Sequence, residues 1–487
     1  MIDTQAIRSK VLDLAMRGRL IEQVSEDGNA EDLYQLIQAE KQALIKTGQV
    51  KKEKPLPEIS GDSIPYSIPS SWKWVYLGEL FQHNTGKALN ANDTQGQMLE
   101  YITTSNLYWD RFELDDLKRM PFTDSEIEKC TVRKGDLLVC EGGDIGRSAI
   151  WPYEYEMRIQ NHIHRLRGYS DLICTKFYYY LLWLYKQTGK INGIGIGLQG
   201  FSSKRVHSLV VPLAPYKEAV RIVDRIDRAF SILDTIDRQQ AQYANNLTVL
   251  KEKLFDAATR GKLTEQYPED GSAAELYYQI QEQKEVLAKT GELYREKEIK
   301  SVSLVDTPYS IPKNWIWVRL GELTKVITKG SSPKWQGVNY TDAENGILFV
   351  TSENVGNGKM LFENRKYVQK QFNEIHPASI LQKGDILTNI VGASIGRTAI
   401  FDEDTNTANT NQAVCIIRLI NQDIANYILR YLCSKSAIHL MLGKVVDTAR
   451  ANLSLTSVSN LLVPLPPLAE QNRIVDRLDA VLTMING

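Results

Sequence analysis

Residues Gly195-Ile196-Gly197-Leu198-Gln199-Gly200 match G-x-G-x-x-G, a glycine spacing that lets a backbone close on a pyrophosphate. That chemistry needs a strand before the loop and a helix after it, so that helix amides meet the phosphate. Here the preceding YYYLLWLYKQTG reads as a helix, and the following SSKRVHSLVVPL as a turn into a strand. No acidic residue ends a second strand where a ribose would need one. The stretch is expected to be a ligand-facing loop or a surface turn, and no cofactor is expected on this chain. His162 and His164 put two imidazoles on one face of a possible strand, which could ligate a metal. Glu298-Ile299-Lys300 resembles the last part of a nuclease carboxylate–lysine motif, but it lies in a polar run without an upstream acidic partner. The chain has no H-E-x-x-H, no G-x-S-x-G, no Walker lysine loop and no Asn/Asp-Pro-Pro-Tyr segment. Neither catalysis nor a metal site is expected.

The loops offer hydrogen bonds and cations instead. The N-terminal half has Thr85-Gly86-Lys87, then Thr103, Thr104, Ser105 and Asn106, Arg147 beside Gly142–Asp144, and Gln199. The C-terminal half has Lys329, Ser331, Ser332 and Lys334, then Thr351, Ser352 and Asn354, Arg397 beside Gly392–Ser394, and Arg450 with Asn452. Arg and Lys suit guanine edges and phosphates, Asn and Gln suit adenine, and Ser and Thr suit bases or backbone. A formal net charge of −1 gives no global pull toward nucleic acid. A DNA role would therefore rest on local patches, with partners supplying much of the phosphate affinity.

The elements that must position these loops are written twice. RGRLIEQVSEDGNAEDLYQLIQAEKQALIKTG (Arg17–Gly48) aligns without a gap to RGKLTEQYPEDGSAAELYYQIQEQKEVLAKTG (Arg260–Gly291). The same offset carries PYSIPSSWKWVYLGEL (Pro65–Leu80) onto PYSIPKNWIWVRLGEL (Pro308–Leu323). Further on, KGDLLVCEGGDIGRSAI (134–150) faces KGDILTNIVGASIGRTAI (383–400), and LVVPLAPYKEAVRIVDRID (209–227) faces LLVPLPPLAEQNRIVDRLD (461–479). The repeat ends are nearly identical, while the middles share almost no polar residues. Two copies of one frame carry different surfaces, as two readers of different half-targets would. The positions matching His162 and His164 are Gln412 and Val414, which weakens the metal reading.

Strand signals dominate the middles: YITTSNLYW, GDLLVC, GDILTNIV, HSLVVPL and NLLVPL. One helical run lies late in each, DLICTKFYYYLLWLYKQTG and DIANYILRYLCSKSAIHLMLG. From Ala219 to about Ala258 the apolar positions Ile226, Phe230, Leu233, Ile236, Tyr243, Leu247, Leu250 and Leu254 follow at helical spacing, with Gln240 between them. That predicts a helix of about 60 Å, long enough to be a spacer or one strand of a coiled coil. Ile474, Leu478, Val481 and Ile485 begin a matching helix at the C-terminus, and Ile7, Val11 and Leu14 continue it at the N-terminus. The repeat is thus circularly permuted, and two such helices packed antiparallel would relate the halves by a pseudo-twofold axis. Second helices are expected over Ala30–Thr47 and Ala273–Thr290, with apolar stripes at Leu33, Leu36, Ile37 and Leu44 and at Leu276, Ile280 and Leu287. Leu33, Leu44, Leu276 and Leu287 are candidate partner contacts, although part of each stripe could pack on its own arm.

With 43% hydrophobic and 24% charged residues, the chain reads as ordinary folded protein. Its five cysteines form no C-x-x-C pair, their odd number argues against a disulfide framework, and the charged N-terminal run is not a signal peptide. The longest aromatic–aliphatic run, Phe177–Tyr185, is too short to span a bilayer, so a cytoplasmic protein without membrane contact is expected.

The duplicated KGDLLV…IGR(S/T)A, the VPLPPLAEQNRIVDRLD run and the helix-ending RGKLTEQ resemble the specificity subunits of type I restriction–modification systems over the whole chain. The resemblance implies an α+β fold: two mixed α/β target-recognition domains joined by a pair of long antiparallel helices. It divides the chain into a conserved helical region (1–60), a first recognition domain (61–212) and a central helical region (213–303). A second recognition domain (304–464) and a C-terminal helix (465–487) follow. It also implies a non-catalytic subunit on double-stranded DNA, each recognition domain reading one half of a bipartite target while the helices fix the spacer. Implied partners are two methyltransferase subunits, which use S-adenosylmethionine, and restriction–translocase subunits, which use ATP and Mg2+. VPLAPYKEAVRI (211–222) departs mildly from the pattern at Tyr216 and Ala219-Val220. The family's recognition residues are not fixed in type, so no base contact transfers. The alternative is a non-catalytic symmetric scaffold that joins partner proteins without reading DNA; an enzyme with two active sites fits less well.

Overall fold

Leu137–Cys140 and Ile386–Asn389, the runs that follow KGD in each repeat, are short and buried at every position. Such runs belong in the middle of a sheet, with both faces covered. The computed structural model places them there. It describes every residue except 53, 91–94, 192–200, 294–298, 444–451 and 487, and it divides the chain into two units, Met1–Ala241 and Gln242–Gly487.

In the first unit a four-stranded antiparallel sheet runs in the order Phe81–Thr85, Ile163–Gly168, Leu137–Cys140, Ser148–Ile150. Lys73–Tyr76 pairs with Val210–Leu213 in a separate antiparallel ribbon. Helix Thr175–Gln187 buries Phe177 through Leu182 together with Leu184 and Tyr185. The second unit repeats this frame: Thr324–Lys329, Val414–Leu419, Ile386–Asn389, Thr398–Ile400, with the ribbon Ile316–Arg319 and Leu462–Leu465. Where one late helix is expected, the second unit has two, Ala425–Leu432 and Lys435–Leu442. The break is chemical: the Ser434 hydroxyl accepts from the Ala437 amide and starts a new helix.

The residues that make the two repeats alike are internal fasteners. In KGD, the Asp136 carboxylate takes two hydrogen bonds from Arg167 and one from the Arg133 amide. Asp385 does the same with Arg418 and the Gln382 amide. On the arm helix Ala30–Lys46, Tyr34 donates to Glu79, while Gln38 and Lys41 donate to the carbonyls of Glu79 and Gly78. On Ala273–Lys289, Tyr277, Gln281 and Lys284 make the same three bonds to Glu322 and Gly321. Glu218 and Glu470, buried at the start of the helices after each ribbon, accept from Gln23 and Gln266. Arg221 pairs with Asp27, and Arg473 with Asp270. The departures at Tyr216 and Ala219-Val220 therefore leave both fasteners of that motif in place. Gly18 (φ +64°) and Gly261 (φ +65°) end the preceding helices where an added Cβ would come within 2.4 Å of Pro69 and 2.3 Å of Pro312. Only glycine fits that conformation and that gap.

This packing takes Leu33 and Leu276 out of the partner stripe. Leu33 and Leu276 are each 7% exposed and belong to the cores of their own units, with Ile37 and Ile280 beside them. Leu44 and Leu287 are half-buried. The inward side chains at Leu33 and Leu276 cannot also meet a partner without opening the core, because an apolar stripe faces the nearest apolar surface, here its own unit's.

The long helix spans Tyr216–Thr259, 44 residues, so the boundary between the units falls within it. In the first unit, helix Thr4–Met16 lies antiparallel on it: Thr4 bonds Asp237, while Arg8 pairs with Asp234 and Asp237 and stacks over Phe230. The expected seam is buried through Ile226, Phe230 and Leu233, but Tyr243 and Leu250 are 61% and 48% exposed. Helix Leu468–Asn486 buries Ile474 and Leu478 in the core of the second unit.

The frames differ in their insertions. The first unit carries the antiparallel pair Gln97–Tyr101 and Lys118–Phe122, and the tight pair Leu107–Tyr108 and Arg111–Phe112. The second carries a four-stranded sheet ordered Tyr340–Thr341, Tyr367–Gln369, Gly346–Val350, Asn409–Thr410, whose last pair is parallel. The expected strand over 101–109 is interrupted at its centre, because Thr103–Asn106 forms a turn.

Candidate nucleic-acid interface

Antiparallel register decides which loops meet. In the first unit Thr85 lies opposite His164, Cys140 opposite Ile163 and Val139 opposite Ser148. The loops after Thr85 and Cys140, and those before Ser148 and Ile163, therefore emerge from one end of the sheet. In the second unit Lys329 lies opposite Cys415, Asn389 opposite Val414 and Thr388 opposite Thr398, so the corresponding loops share one end again. Each insertion attaches at that end. Ile102 bridges Ile159 in the first unit, and Val350 pairs with Thr410 in the second. Gly86 and Gly330 make the approach possible: a Cβ there would stand 2.0 Å from the Ile159 carbonyl oxygen and 1.7 Å from that of Thr410.

The candidate residues thus fall in two clusters, but their side chains are not equally available. Lys87 is buried: its ammonium is 2.7 Å from Glu126 Oε2 and 2.7 Å from the Pro121 carbonyl, and it lies over Phe122. The hydrogen bond from Lys87 holds the Glu126 carboxyl below its ordinary range. Lys87 fastens the insertion to the sheet and is not a surface cation. Thr103 and Thr351 start two matching turns, in which Asn106 Oδ1 and Asn354 Oδ1 accept the Thr103 and Thr351 amides at 2.9 Å. Asn106 Nδ2 donates to Glu113, and Asn354 Nδ2 to Leu361 and Asn364. These four side chains are spent on the turn, so their identity across the repeats reflects local folding. The Thr103 hydroxyl also shares a hydrogen bond with exposed Ser105. Arg147 donates to the Thr104 carbonyl and stacks over Tyr108, leaving it half-buried. Ser352 offers its carbonyl to Asn389.

Lys329, Lys334 and Arg397 are exposed and make no ion pair among the described residues; Asn452 is exposed as well. Ser331 and Ser332 are half-buried in the turn that carries Lys334, with Ser331 Oγ 3.1 Å from Gln336 Nε2. Gln199, Arg450 and the glycine motif 195–200 lie outside the described residues. Of the described candidate cations, those of the second unit are the more open, since Lys87 is buried and Arg147 half-buried. Sequence reasoning passed over Trp335, exposed beside Lys334; an aromatic between basic residues was the available signal.

The two histidines part company. His162 points outward near Glu141, whereas His164 is fully buried, its Nε2 2.5 Å from the Phe201 carbonyl and its Nδ1 2.8 Å from His83 Nε2. A carbonyl only accepts, so His164 carries its proton on Nε2 and Nδ1 accepts from His83. Burial pushes His83 down to about 3, with His164, His207 and Arg165 adding to the effect, and burial also lowers His164. Among the described residues no group of three His, Cys, Asp or Glu could hold a metal, and no helix is long and apolar enough to cross a membrane.

Fold and site together define a class of protein: two copies of one frame, each presenting a different insertion at the same sheet end. The family model for the type I restriction modification DNA specificity domain matches the chain twice, over residues 69–243 and 312–486. The chain belongs to that family. It is 24% identical over 549 residues to the type I restriction enzyme EcoAI specificity subunit of Escherichia coli, covering 99% of this chain and 89% of that one. It is 24% identical over 552 residues to the EcoEI specificity subunit of the same organism, covering 97% and 88%. Among solved structures, a chain from work on complex assembly and conformational transition of the type I R-M system superposes with a TM-score of 0.59. That match has 18% identity and covers 87% of this chain and 93% of that one, a likeness of fold.

Proposed function

We infer that this chain is the DNA-recognition subunit of a type I restriction–modification complex and is itself non-catalytic. The observation that carries the reading is the pairing of duplicated fasteners with unlike insertions at equivalent sheet ends. A scaffold that only joined partners would have no use for two different surfaces on one frame. In this reading residues 61–212 and 304–464 each read one half of a bipartite target. The helical regions 1–60, 213–303 and 465–487 set the spacing between half-sites. Two methyltransferase subunits bring S-adenosylmethionine, and restriction–translocase subunits bring ATP and Mg2+, all in the cytoplasm. Lys329, Lys334 and Arg397 serve as phosphate or guanine contacts, since they are exposed and unpaired among the described residues.

The test is an exchange of residues 86–122 for those of a related chain with another specificity, which keeps the strand pair Gln97–Tyr101 and Lys118–Phe122 whole. Methylome sequencing should show a change in one half of the methylated sequence. A change in both halves or in neither defeats the reading.

A further inference from the structure

Of the chain's eight tryptophans, seven are buried or half-buried, and Trp335 alone is exposed, at 72%. It stands in a one-turn 3-10 helix, Pro333–Gln336, and that turn is firmly held. Pro333 is buried, the Val338 amide bonds the Pro333 carbonyl, and the Trp335 amide bonds the Ser332 carbonyl. Val338 anchors the far side in a small core with Phe349 and Phe372. The indole makes no aromatic-ring or cation–π contact among the described residues and is 72% exposed. Exposed Lys334 precedes it in the turn, and exposed Lys329 and Arg397 lie at the same sheet end.

An exposed tryptophan on a rigid turn is an anchor awaiting a partner, because preorganisation removes the ordering entropy of binding. Protein–protein interfaces are depleted in lysine relative to the rest of the surface. A lysine-flanked indole suits a partner that is lined by phosphates and carries flat apolar faces. We propose that Trp335 is a base contact of the second unit, its indole wedging into a base step of the duplex bound there and stacking on the base face that the opened step exposes. The proposal rests on the DNA-recognition reading. It assigns Trp335 the apolar part of the contact, and Lys329 and Lys334 the phosphates on either side. The first unit has no tryptophan in the corresponding loop after Gly86, so the device belongs to one half-site only.

The experiment uses the full chain assembled with its methyltransferase subunits. Binding is measured by fluorescence anisotropy, over a range of salt, to the duplex identified by methylome sequencing and to an unrelated duplex. Trp335→Ala should weaken target binding about tenfold or more, the scale of one lost base–aromatic stack, with the salt slope unchanged. Trp335→Phe, which keeps a stacking face, should recover most of the affinity. Lys334→Ala should weaken both duplexes alike and lower the salt slope by about one. The proposal is overturned if Trp335→Ala binds the target within about twofold of the unaltered complex. It is overturned as well if native mass spectrometry shows that the loss comes from a missing methyltransferase subunit, since Trp335 would then be a protein contact. If the unaltered complex does not distinguish the two duplexes, the DNA-recognition reading fails, and this proposal with it.

Discussion

Replacing Asp385 with alanine tests whether the aspartate of KGD fastens the sheet. The Asp385 side chain is 1% exposed and that of Arg418 is 13% exposed. Nε and Nη2 of Arg418 each donate to the carboxylate at 2.7 Å, and the Gln382 amide donates at 2.7 Å. Among the described residues, the substitution leaves the guanidinium with only the Ile380 carbonyl, at 3.0 Å. Removing one partner of a buried ion pair costs about 3–5 kcal/mol, because the other charge stays in the protein without compensation. Asp136→Ala should cost less, about 2–3 kcal/mol, because the Arg167 side chain is 29% exposed and water can reach it. Removing both partners, as in Asp385→Ala with Arg418→Met, should be milder than Asp385→Ala alone. Hydrogen exchange of the amides in Ile386–Asn389 and Val414–Leu419 reports the opening free energy of this sheet separately from the first unit. A loss below about 1 kcal/mol for Asp385→Ala, or a larger loss for Asp136→Ala, would refute the reasoning.

The buried histidine pair makes the first unit acid-sensitive. His83 is held neutral in the fold, with its value down at about 3, whereas an unfolded histidine takes a proton near pH 6.5. Below about pH 6.5 the unfolded chain binds protons that the fold refuses, so stability is lost as pH falls toward 3, on the order of 1–2 kcal/mol by pH 5. Urea unfolding at pH 7.5 and pH 5, compared with His83→Gln, should show a shallower pH dependence in the variant; equal slopes would exclude His83 as the cause. In the spacer helix, a heptad inserted after Gln240 with a matching one in the C-terminal helix lengthens each by about 10 Å, or about three base pairs. A library of half-sites at varied separation should then select a longer spacer, and an unchanged preference would mean that the helices do not set it. Leu33→Asp, which places a charge in the first unit's core, should unfold the arm outright, as read by loss of exchange protection in Ala30–Lys46. A folded variant that merely lost a partner subunit would restore the stripe as a docking surface.

The duplication, its permutation, the long helix and the buried strands after KGD were legible in the chain because each is local or repeated. Periodicity of side chains follows from backbone geometry, and a repeat needs no structure to be seen. Around the glycine motif, helix Thr175–Gln187 precedes as the sequence suggests, but a short helix, Ser203–His207, follows where a turn directly into a strand is expected. What residue type could not reveal was which polar side chains the fold uses for itself. Lys87, Asn106 and Asn354 look like readers of bases in one dimension, but Glu126 and the neighbouring turns claim them. Leu33 and Leu276 look like a docking stripe until the core of their own unit closes over them. Hydrogen-bond satisfaction and burial are settled by contacts between segments far apart in sequence, such as Lys41 with Gly78, Gln23 with Glu218 or Arg473 with Asp270. Sequence alone determined the frame and that it occurs twice. Tertiary structure decided which side chains at the sheet ends remain free to meet a ligand, because a polar group held by its own chain has no unsatisfied bond to offer another.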